Sequence, residues 1–503
     1  MKTAKNIEKI EKEILREKLK GTPDIEIGEK FGVSYRFIEK VVTRYYGATV
    51  SVFPSEKKIK EFYPRDFSLE TTTFWSFKSR GKWATHSNEY RGNWSPYIPR
   101  NIILLYSSPG EIILDYFCGG GTTAIEAKLL GRKCIAIDIN EKAVELSKKN
   151  VSFKSQELFS PIYEPEIRAG DARDLSFIKD NSIDLICTHP PYANIIHYTD
   201  GKEGDLSFLN PDSFLKEMEK VAKESYRVLK PGRKCVLLIG DLRHKKHVFP
   251  LGFKLIDVFQ KKGFLLKELI IKRQHNCKTT GFWYENSLKY NFLLLAHEYL
   301  PVFEKPRKKS NRIKEESTLY DIEKKNLKFH YKRKLPFLET STVWVFPSIK
   351  FEELLNKNVI SRYSKSRKYK VFAFSSMNRI ECIFLNQKAK NVDLLYFKLP
   401  EFLNFSLSEA QTETYLKIMK DKVSEEILSV KKGGYIAIET KDVRTKNCLK
   451  PVGKEIVKTF EKDKNMWLKE IIIVSSTDML ENSENSKSPL KIVHHYLIIF
   501  ERI

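Results

Sequence analysis

Apolar positions along the chain fall into stretches of different period. At the start, Ile7, Ile10, Ile14 and Leu15 recur at helical spacing, and G-T-P-D (21–24) ends that helix and starts another. Ile27 and Phe31 then make one apolar face, Gly32 opens a tight turn, and Ser34 is placed to cap a further helix. From about residue 60, short apolar runs alternate with longer amphipathic ones. I-I-L-D-Y-F (112–117), C-I-A-I-D (134–138), I-D-L-I-C-T (183–188) and C-V-L-L-I-G-D (235–241) read as buried strands, with helices predicted over 122–130, 141–150 and 214–228. That alternation predicts an α/β fold whose sheet is mostly parallel and covered by helices on both faces.

The last third repeats the pattern. L-E-T-T-T-F-W (69–75) returns as L-E-T-S-T-V-W (338–344), K-P-G-R-K-C-V-L-L-I-G-D-L-R (230–243) as K-K-G-G-Y-I-A-I-E-T-K-D-V-R (431–444), and H-E-Y-L-P-V-F-E-K (297–305) as H-H-Y-L-I-I-F-E-R (494–502). Three matches in one order predict an internal duplication. Trp75 precedes Asp184 by 109 positions but Trp344 precedes Asp393 by only 49, so the second copy is shorter just where the first carries a glycine-rich loop. Residues 305–334 hold 12 Lys or Arg against 4 acidic residues, a solvated linker or a strap facing nucleic acid. The predicted organisation is a helical unit at 1–48, an α/β domain at 60–304, a basic linker at 305–334 and a second α/β domain at 335–503.

Charge points to a partner. The chain of 503 residues carries 89 Lys and Arg against 64 acidic residues, a net charge of +25, which suits a polyanion and nucleic acid first. Aromatic residues at 12% exclude a disordered basic tail. Apolar runs such as 292–296 are too short to span a bilayer, and the N-terminus alternates Lys with Glu, so neither a membrane partner nor a signal peptide is expected. Seven scattered Cys without a C-x-x-C pair exclude a disulfide framework and a Cys-rich zinc site, and suit the reducing cytoplasm. Within 24–46, helix, glycine turn and helix, with Tyr35, Arg36 and Lys40 outward, resemble a helix-turn-helix DNA-binding unit.

The sharpest chemical signal is D-Y-F-C-G-G-G-T-T (115–123), between a strand and a helix. A strand ending in Asp and followed by glycines lets the backbone approach a ligand at the strand's carboxyl end, where the next helix offers free N–H groups. A second strand ends in Asp138, placed to accept from ribose hydroxyls. Together these favour an adenosine-containing cofactor. T-H-P-P-Y (188–192) follows the strand D-L-I-C; its prolines stiffen the chain and remove two donors, and the aromatic offers a flat surface to a base.

With these motifs, residues 85–305 resemble the S-adenosylmethionine-dependent DNA methyltransferases that modify adenine N6 or cytosine N4. That family carries D-P-F-x-G-x-G-T-T and [D/N/S]-P-P-[Y/F/W] on a Rossmann-like sheet. Asp115, Phe117, Gly119, Gly121, Thr122 and Thr123 match the first motif, with Tyr116 in place of Pro, and 99–115 is similar to the family's lead-in. The resemblance implies S-adenosylmethionine as cofactor, held by Asp115, Phe117, Gly119, Gly121, Thr122, Asp138 and Asp171, the last near the adenine. It implies catalysis by His189, Pro190, Pro191 and Tyr192 on double-stranded DNA, and leaves room for a cognate restriction endonuclease.

His189 departs from the family, whose first tetrapeptide residue is Asp, Asn or Ser and accepts a hydrogen bond from the target amine. A neutral imidazole has one acceptor nitrogen, so His189 can do this in one tautomer; alternatively the Pro190 carbonyl with Thr188 suffices. The family's T-S-P-P-Y marks cytosine-N4 enzymes, and T-H-P-P-Y keeps its Thr and is uncharged, which leans to cytosine N4 over adenine N6. G-D-L-R-H-K-K-H (240–247) offers Arg243, Lys245 and Lys246 to phosphates. The second copy puts Lys398 at the His189 position and Glu401 at Tyr192, and lacks the glycine loop, so it is expected to fold as a degenerate methyltransferase-like domain without cofactor. Two other functions fit the same residues: a non-catalytic DNA-binding protein retaining the fold, and an RNA amino-methyltransferase.

Overall fold

The computed structural model describes residues 4–20, 22, 24–34, 37–38, 41, 59, 61–153, 162–275, 280–307, 338–384, 391–478 and 489–503, apart from 88, 245, 377–378, 405–406 and 446–447. The N-terminal helices Ala4–Lys20 and Asp24–Phe31 enclose a small core of Ile14, Leu15, Ile27, Ile38 and Val41. Gly32 takes φ +61° in the turn, and the Ser34 hydroxyl accepts from the Phe37 N–H. Tyr35, Arg36 and Lys40, the expected DNA contacts of this unit, lie outside the described residues.

The strands of the first half are β1 (Phe74–Trp75), β2 (Ile112–Asp115), β3 (Lys133–Asp138), β4 (Glu166–Ala169), β5 (Ile183–Thr188), β6 (Leu229–Leu237), β7 (Leu242–His244), β8 (His247–Phe249), β9 (Leu265–Arg273) and β10 (His297–Glu304). Eight of them form one sheet in the order β1-β9-β10-β6-β5-β2-β3-β4, while β7 and β8 make a small hairpin. Every pair in the sheet is parallel except those made by β10, which runs against both β6 and β9. Helices Thr122–Leu129, Glu141–Val151 and Pro211–Val228 connect the parallel strands, as their amphipathic spacing predicts. Central strands such as β5 are buried along their whole length, the mark of a sheet covered on both sides.

The second half holds β11 (Val343–Phe346), β12 (Tyr369–Ser376), β13 (Arg379–Phe384), β14 (Val392–Phe397), β15 (Val430–Thr440), β16 (Val443–Arg444), β17 (Leu449–Lys450), β18 (Met466–Ser476) and β19 (His495–Arg502). Seven form a second sheet, β11-β18-β19-β15-β14-β12-β13, in which β19 is again the strand antiparallel to both neighbours. The first five positions follow the order of the first sheet strand for strand, and the next, β12, stands where β2 stands. Beyond it the halves part. Where the first chain turns through the glycine loop and a helix into parallel β3, β12 folds back into antiparallel β13, with Ser376 opposite Arg379.

Contacts between the halves are reciprocal. His297 Nδ1 meets the Thr342 hydroxyl at 2.8 Å and His494 Nδ1 meets the Thr73 hydroxyl at 3.0 Å, each threonine belonging to the other half. The Arg243 guanidinium donates to Glu470 at 2.5 Å and to the Leu293 carbonyl; that of Arg444 donates to Glu268 at 2.6 Å and to the Leu490 carbonyl. Apolar surface closes the same seam, with the Phe253 ring 5.2 Å from Tyr299 and 6.0 Å from Tyr496. Arg243 was expected to touch phosphate; its guanidinium is instead spent inside this seam, because the buried Glu470 carboxylate requires a counter-ion. Lys305, counted with the basic linker, is likewise buried, donating to the Tyr226 and Leu229 carbonyls and to Asn181. Most of that linker lies outside the described residues.

Candidate active site

Asp115 ends β2 inside the sheet, and its carboxylate accepts from the Phe117 N–H at 3.1 Å and from the Thr188 hydroxyl at 2.6 Å. The residue closing the glycine-loop strand therefore holds the end of β5, where the T-H-P-P-Y segment begins. Burial raises this carboxyl to about 6. Asp138, at the end of β3, accepts from the Gly119 N–H at 2.8 Å and the Asn140 N–H at 2.9 Å, and burial raises it also to about 6. It anchors the loop as well as facing the pocket.

The loop is closed from outside by the segment 83–100. Trp83, His86 and Arg100 all bond the buried Glu126 carboxylate, which sits on the helix following the glycines. That clamp sets Asn93 against the Gly120 N–H at 3.1 Å and the Tyr90 ring over Gly119. A Cβ on Gly120 would lie 2.5 Å from Asn93, and Gly121 takes φ +82°, so glycine is required by packing and by conformation.

A pocket opens here, lined by Asp115, Phe117, Gly119, Asp138, Asp171, His189 and Pro191 among the expected residues. Gly121, Thr122 and Pro190 are not in its wall; the first two start the helix beneath the loop and Pro190 is buried behind. Asp171 is held by Arg173, which donates to both carboxylate oxygens. Asp205 adds a fourth carboxylate, and no Lys or Arg stands among the described lining residues. Such a wall suits a cationic ligand with a ribose, whose sulfonium and ammonium charges meet carboxylates and whose hydroxyls donate to Asp138; it does not suit a phosphate-bearing nucleotide. S-adenosylmethionine fits.

His189 lies where this pocket meets a second cavity of about 550 Å³, walled also by Trp94, Tyr192, Ile195, Lys272 and Glu298. The imidazole stacks on Trp94, ring centres 5.5 Å apart, and burial lowers its pKa to about 4, so it is neutral at physiological pH. Tyr192, expected to offer its ring alone, also uses its hydroxyl: the oxygen lies 3.0 Å from His189 Nε2 and donates to Glu298 at 2.8 Å. Lys272 donates to the other oxygen of Glu298 at 2.7 Å. Trp94, Lys272 and Glu298 were not singled out in the sequence, although Glu298 lies in the repeated H-E-Y-L segment and its counterpart is His495. His275, bonded to Ser76 at 2.8 Å, lines the same cavity. Of the basic segment, Lys246 is exposed and Lys245 lies outside the described residues.

A Rossmann-like sheet with this loop and pocket is the methyltransferase fold, and residues 107–248 match the model described as a methyltransferase domain. Residues 25–149 and 183–370 match the family model described as DNA methylase, which is more than half of the chain; the protein belongs to that family. The expectation of S-adenosylmethionine as cofactor stands with these matches. Among curated relatives, the tRNA (guanine(10)-N2)-dimethyltransferase of Methanothermobacter thermautotrophicus is 36% identical over 105 residues, 21% of this chain and 29% of that one. The type II methyltransferase M.MthZI of Methanothermobacter thermautotrophicus is 29% identical over 169 residues, 30% of this chain and 47% of that one. The chain thus spans less than half the length of these relatives. Among solved structures, a SAM-dependent methyltransferase of Methanosarcina mazei shares 17% identity, covering 41% of this chain and 98% of its own, with a TM-score of 0.30. No helix among the described residues is long and apolar enough to cross a membrane, and no group of His, Cys, Asp and Glu among them could hold a metal.

Proposed function

We propose that the chain methylates an exocyclic amino group of a base in double-stranded DNA, cytosine N4 in preference to adenine N6. The observation that carries this reading is the carboxylate-walled pocket joined through His189 to a second cavity large enough for a base. When bound, S-adenosylmethionine supplies an electrophilic methyl carbon whose bond to sulfur breaks as the bond to the amine nitrogen forms, leaving a thioether and a proton to be removed. Asp138 takes the ribose hydroxyls, Asp115 ties the cofactor strand to the tetrapeptide, and Asp171, held by Arg173, closes the adenine end. The target base, swung out of the duplex, enters the second cavity between Trp94 and Tyr192. His189, neutral and stacked, accepts from the amine that Asp, Asn or Ser would grip in the family. Pro190 and Pro191 keep the turn rigid.

The helical unit, with Tyr35, Arg36 and Lys40, and the exposed Lys246 supply DNA contacts. Residues 335–503 are a degenerate second copy that braces the catalytic half without cofactor, a reading supported by the shared strand order and the reciprocal seam. The relative acting on a tRNA guanine amine favours one alternative, an RNA substrate, since the reacting group has the same chemistry. Transfer of labelled methyl to DNA and to tRNA, followed by nucleoside mass spectrometry, tests both. N4-methylcytosine in DNA is expected; N6-methyladenine would correct the base, label in tRNA alone would move the substrate to RNA, and no label in either would reduce the chain to a binding protein.

A further inference from the structure

Three times among the described residues a tyrosine hydroxyl joins a carboxylate to a histidine. Two of the lines are structural and mirror each other across the seam. Tyr299 donates to Asp241 at 3.0 Å and its oxygen lies 2.9 Å from His297 Nε2; Tyr496 donates to Asp442 at 3.0 Å and its oxygen lies 3.3 Å from His494 Nε2. A phenol has one proton. Once a carboxylate takes it, the oxygen can only accept, so the imidazole is protonated on Nε2 and its Nδ1 is the lone pair. In both lines that lone pair is used, by the hydroxyls of Thr342 and Thr73.

The third line is Glu298, Tyr192 and His189. Lys272 fixes the carboxylate, which is held near 2 by this cation despite burial, so it is ionised and accepts the hydrogen bond from the Tyr192 hydroxyl. By the same logic His189 carries its proton on Nε2. Its Nδ1 receives no threonine among the described residues; the ring instead stands at the junction of the two cavities. We infer that Glu298, anchored by Lys272 and acting through Tyr192, holds His189 as the neutral Nε2–H tautomer and leaves Nδ1 to take the proton released by the target amine. This rests on the transferase reading above. Glu298, Lys272 and Tyr192 are positioning residues, and His189 is the group that meets the substrate. In the step, the proton moves from the amine nitrogen to Nδ1, and the imidazolium so formed is stabilised by Glu298 through the Tyr192 hydroxyl, as a carboxylate stabilises an imidazolium in other relays. The Gly92 backbone lies near the ring and favours its charged form once the proton has arrived. Lys272 and Arg80 face the ring as well and favour release of the proton afterwards.

The test reads the tautomer directly. Nitrogen NMR of the full-length protein labelled on histidine, with His189 assigned by the signal lost in His189→Asn, should show Nε2 protonated and Nδ1 bare. Tyr192→Phe keeps the ring and removes the hydroxyl, and Glu298→Gln removes the charge; each should move His189 toward the Nδ1–H form. Each should also lower kcat about tenfold or more while the KM for S-adenosylmethionine stays put. Glu298→Asp should recover part of the loss. A wild-type His189 protonated on Nδ1, or a tautomer unchanged in both variants, would overturn the inference. The expected tautomers in a protein that methylates neither DNA nor tRNA would sink the transferase reading and leave the relay in place.

Discussion

The carboxyl edges of the two sheets are built on the same frame and furnished differently. Both keep an aspartate that accepts from a tyrosine hydroxyl and from a glycine N–H opening the next helix, at Asp241 with Gly252 and at Asp442 with Gly453. The cross-strand pair Lys272 with Glu298 on the first sheet becomes Val474 with His495 on the second, at the same register. His189 after β5 becomes Lys398 after β14, whose amine donates to Glu352 at 2.9 Å. Glu439, a buried carboxylate at the end of β15, already accepts from Tyr396 and from the Leu399 N–H. What both halves share is what folding the sheet and closing the seam require; what only the first has is the set of groups that could serve a reaction. The comparison separates scaffold from chemistry inside one chain.

The seam offers the heaviest blow to that comparison. Arg243→Ala and Arg444→Ala each leave a buried carboxylate, Glu470 or Glu268, without its cation, and each should cost about 3–5 kcal/mol in urea unfolding. Protonation of the stranded carboxyl relieves part of this, since burial already raises both groups. Equal losses support a symmetric seam. One loss several times the other would mean the halves meet unequally.

Next in size is the cofactor pocket. Asp138→Ala should weaken S-adenosylmethionine binding by about 1–3 kcal/mol in calorimetry, because ribose hydroxyls and two loop N–H groups lose a charged acceptor together. Asp138→Asn should be nearly as harmful, since its amide would set a donor against one of those N–H groups. Unchanged affinity in both would remove Asp138 from the site.

Acid should reveal His189. It must be neutral to accept, and burial together with Lys272 and Arg80 lowers its pKa to about 4 while Glu298 and the Gly92 backbone pull the other way. The rate should hold from neutrality down to about pH 5 and fall below it, and Lys272→Met should move that fall to higher pH by removing a facing cation. A fall centred near 6.5, the ordinary histidine value, would mean the ring is solvated in solution.

Much of this was legible in the residues. The strands at 112–115, 133–138 and 183–188 follow from short apolar runs ending in Asp or Thr, and the glycine loop and T-H-P-P-Y fall where their motifs put them. The spacing before Asp393 is shorter, and where the first half has its glycine loop and helix, β12 is followed in the chain by antiparallel β13. The rest depends on pairing between distant strands. Nothing local to Glu298 or Lys272 tells that their register across β9 and β10 brings them beside Tyr192, 106 positions from Glu298. Arg243 read as a phosphate contact because its neighbours are basic; only the partner Glu470, 227 positions away, turns it inward.

The smallest effect expected is none at all, and it bears most directly on the second edge. If the second half is scaffold, calorimetry should find one S-adenosylmethionine per chain, not two. At this edge β12 is followed by antiparallel β13, the sequence between Ser376 and Val392 holds no glycine, and the amine of Lys398 and the carboxylate of Glu439 are already bonded within the protein. Lys398→Ala and Glu401→Ala change side chains that are partly or fully exposed, so each should leave both cofactor affinity and stability within about 0.5 kcal/mol of the wild type. The corresponding changes at the first edge, His189→Ala and Tyr192→Ala, remove groups from a hydrogen-bonded network that lines the second cavity and should abolish turnover. A second molecule bound per chain, or a loss of binding on Lys398→Ala, would show that the second edge still holds a ligand and that the two halves divide the chemistry between them.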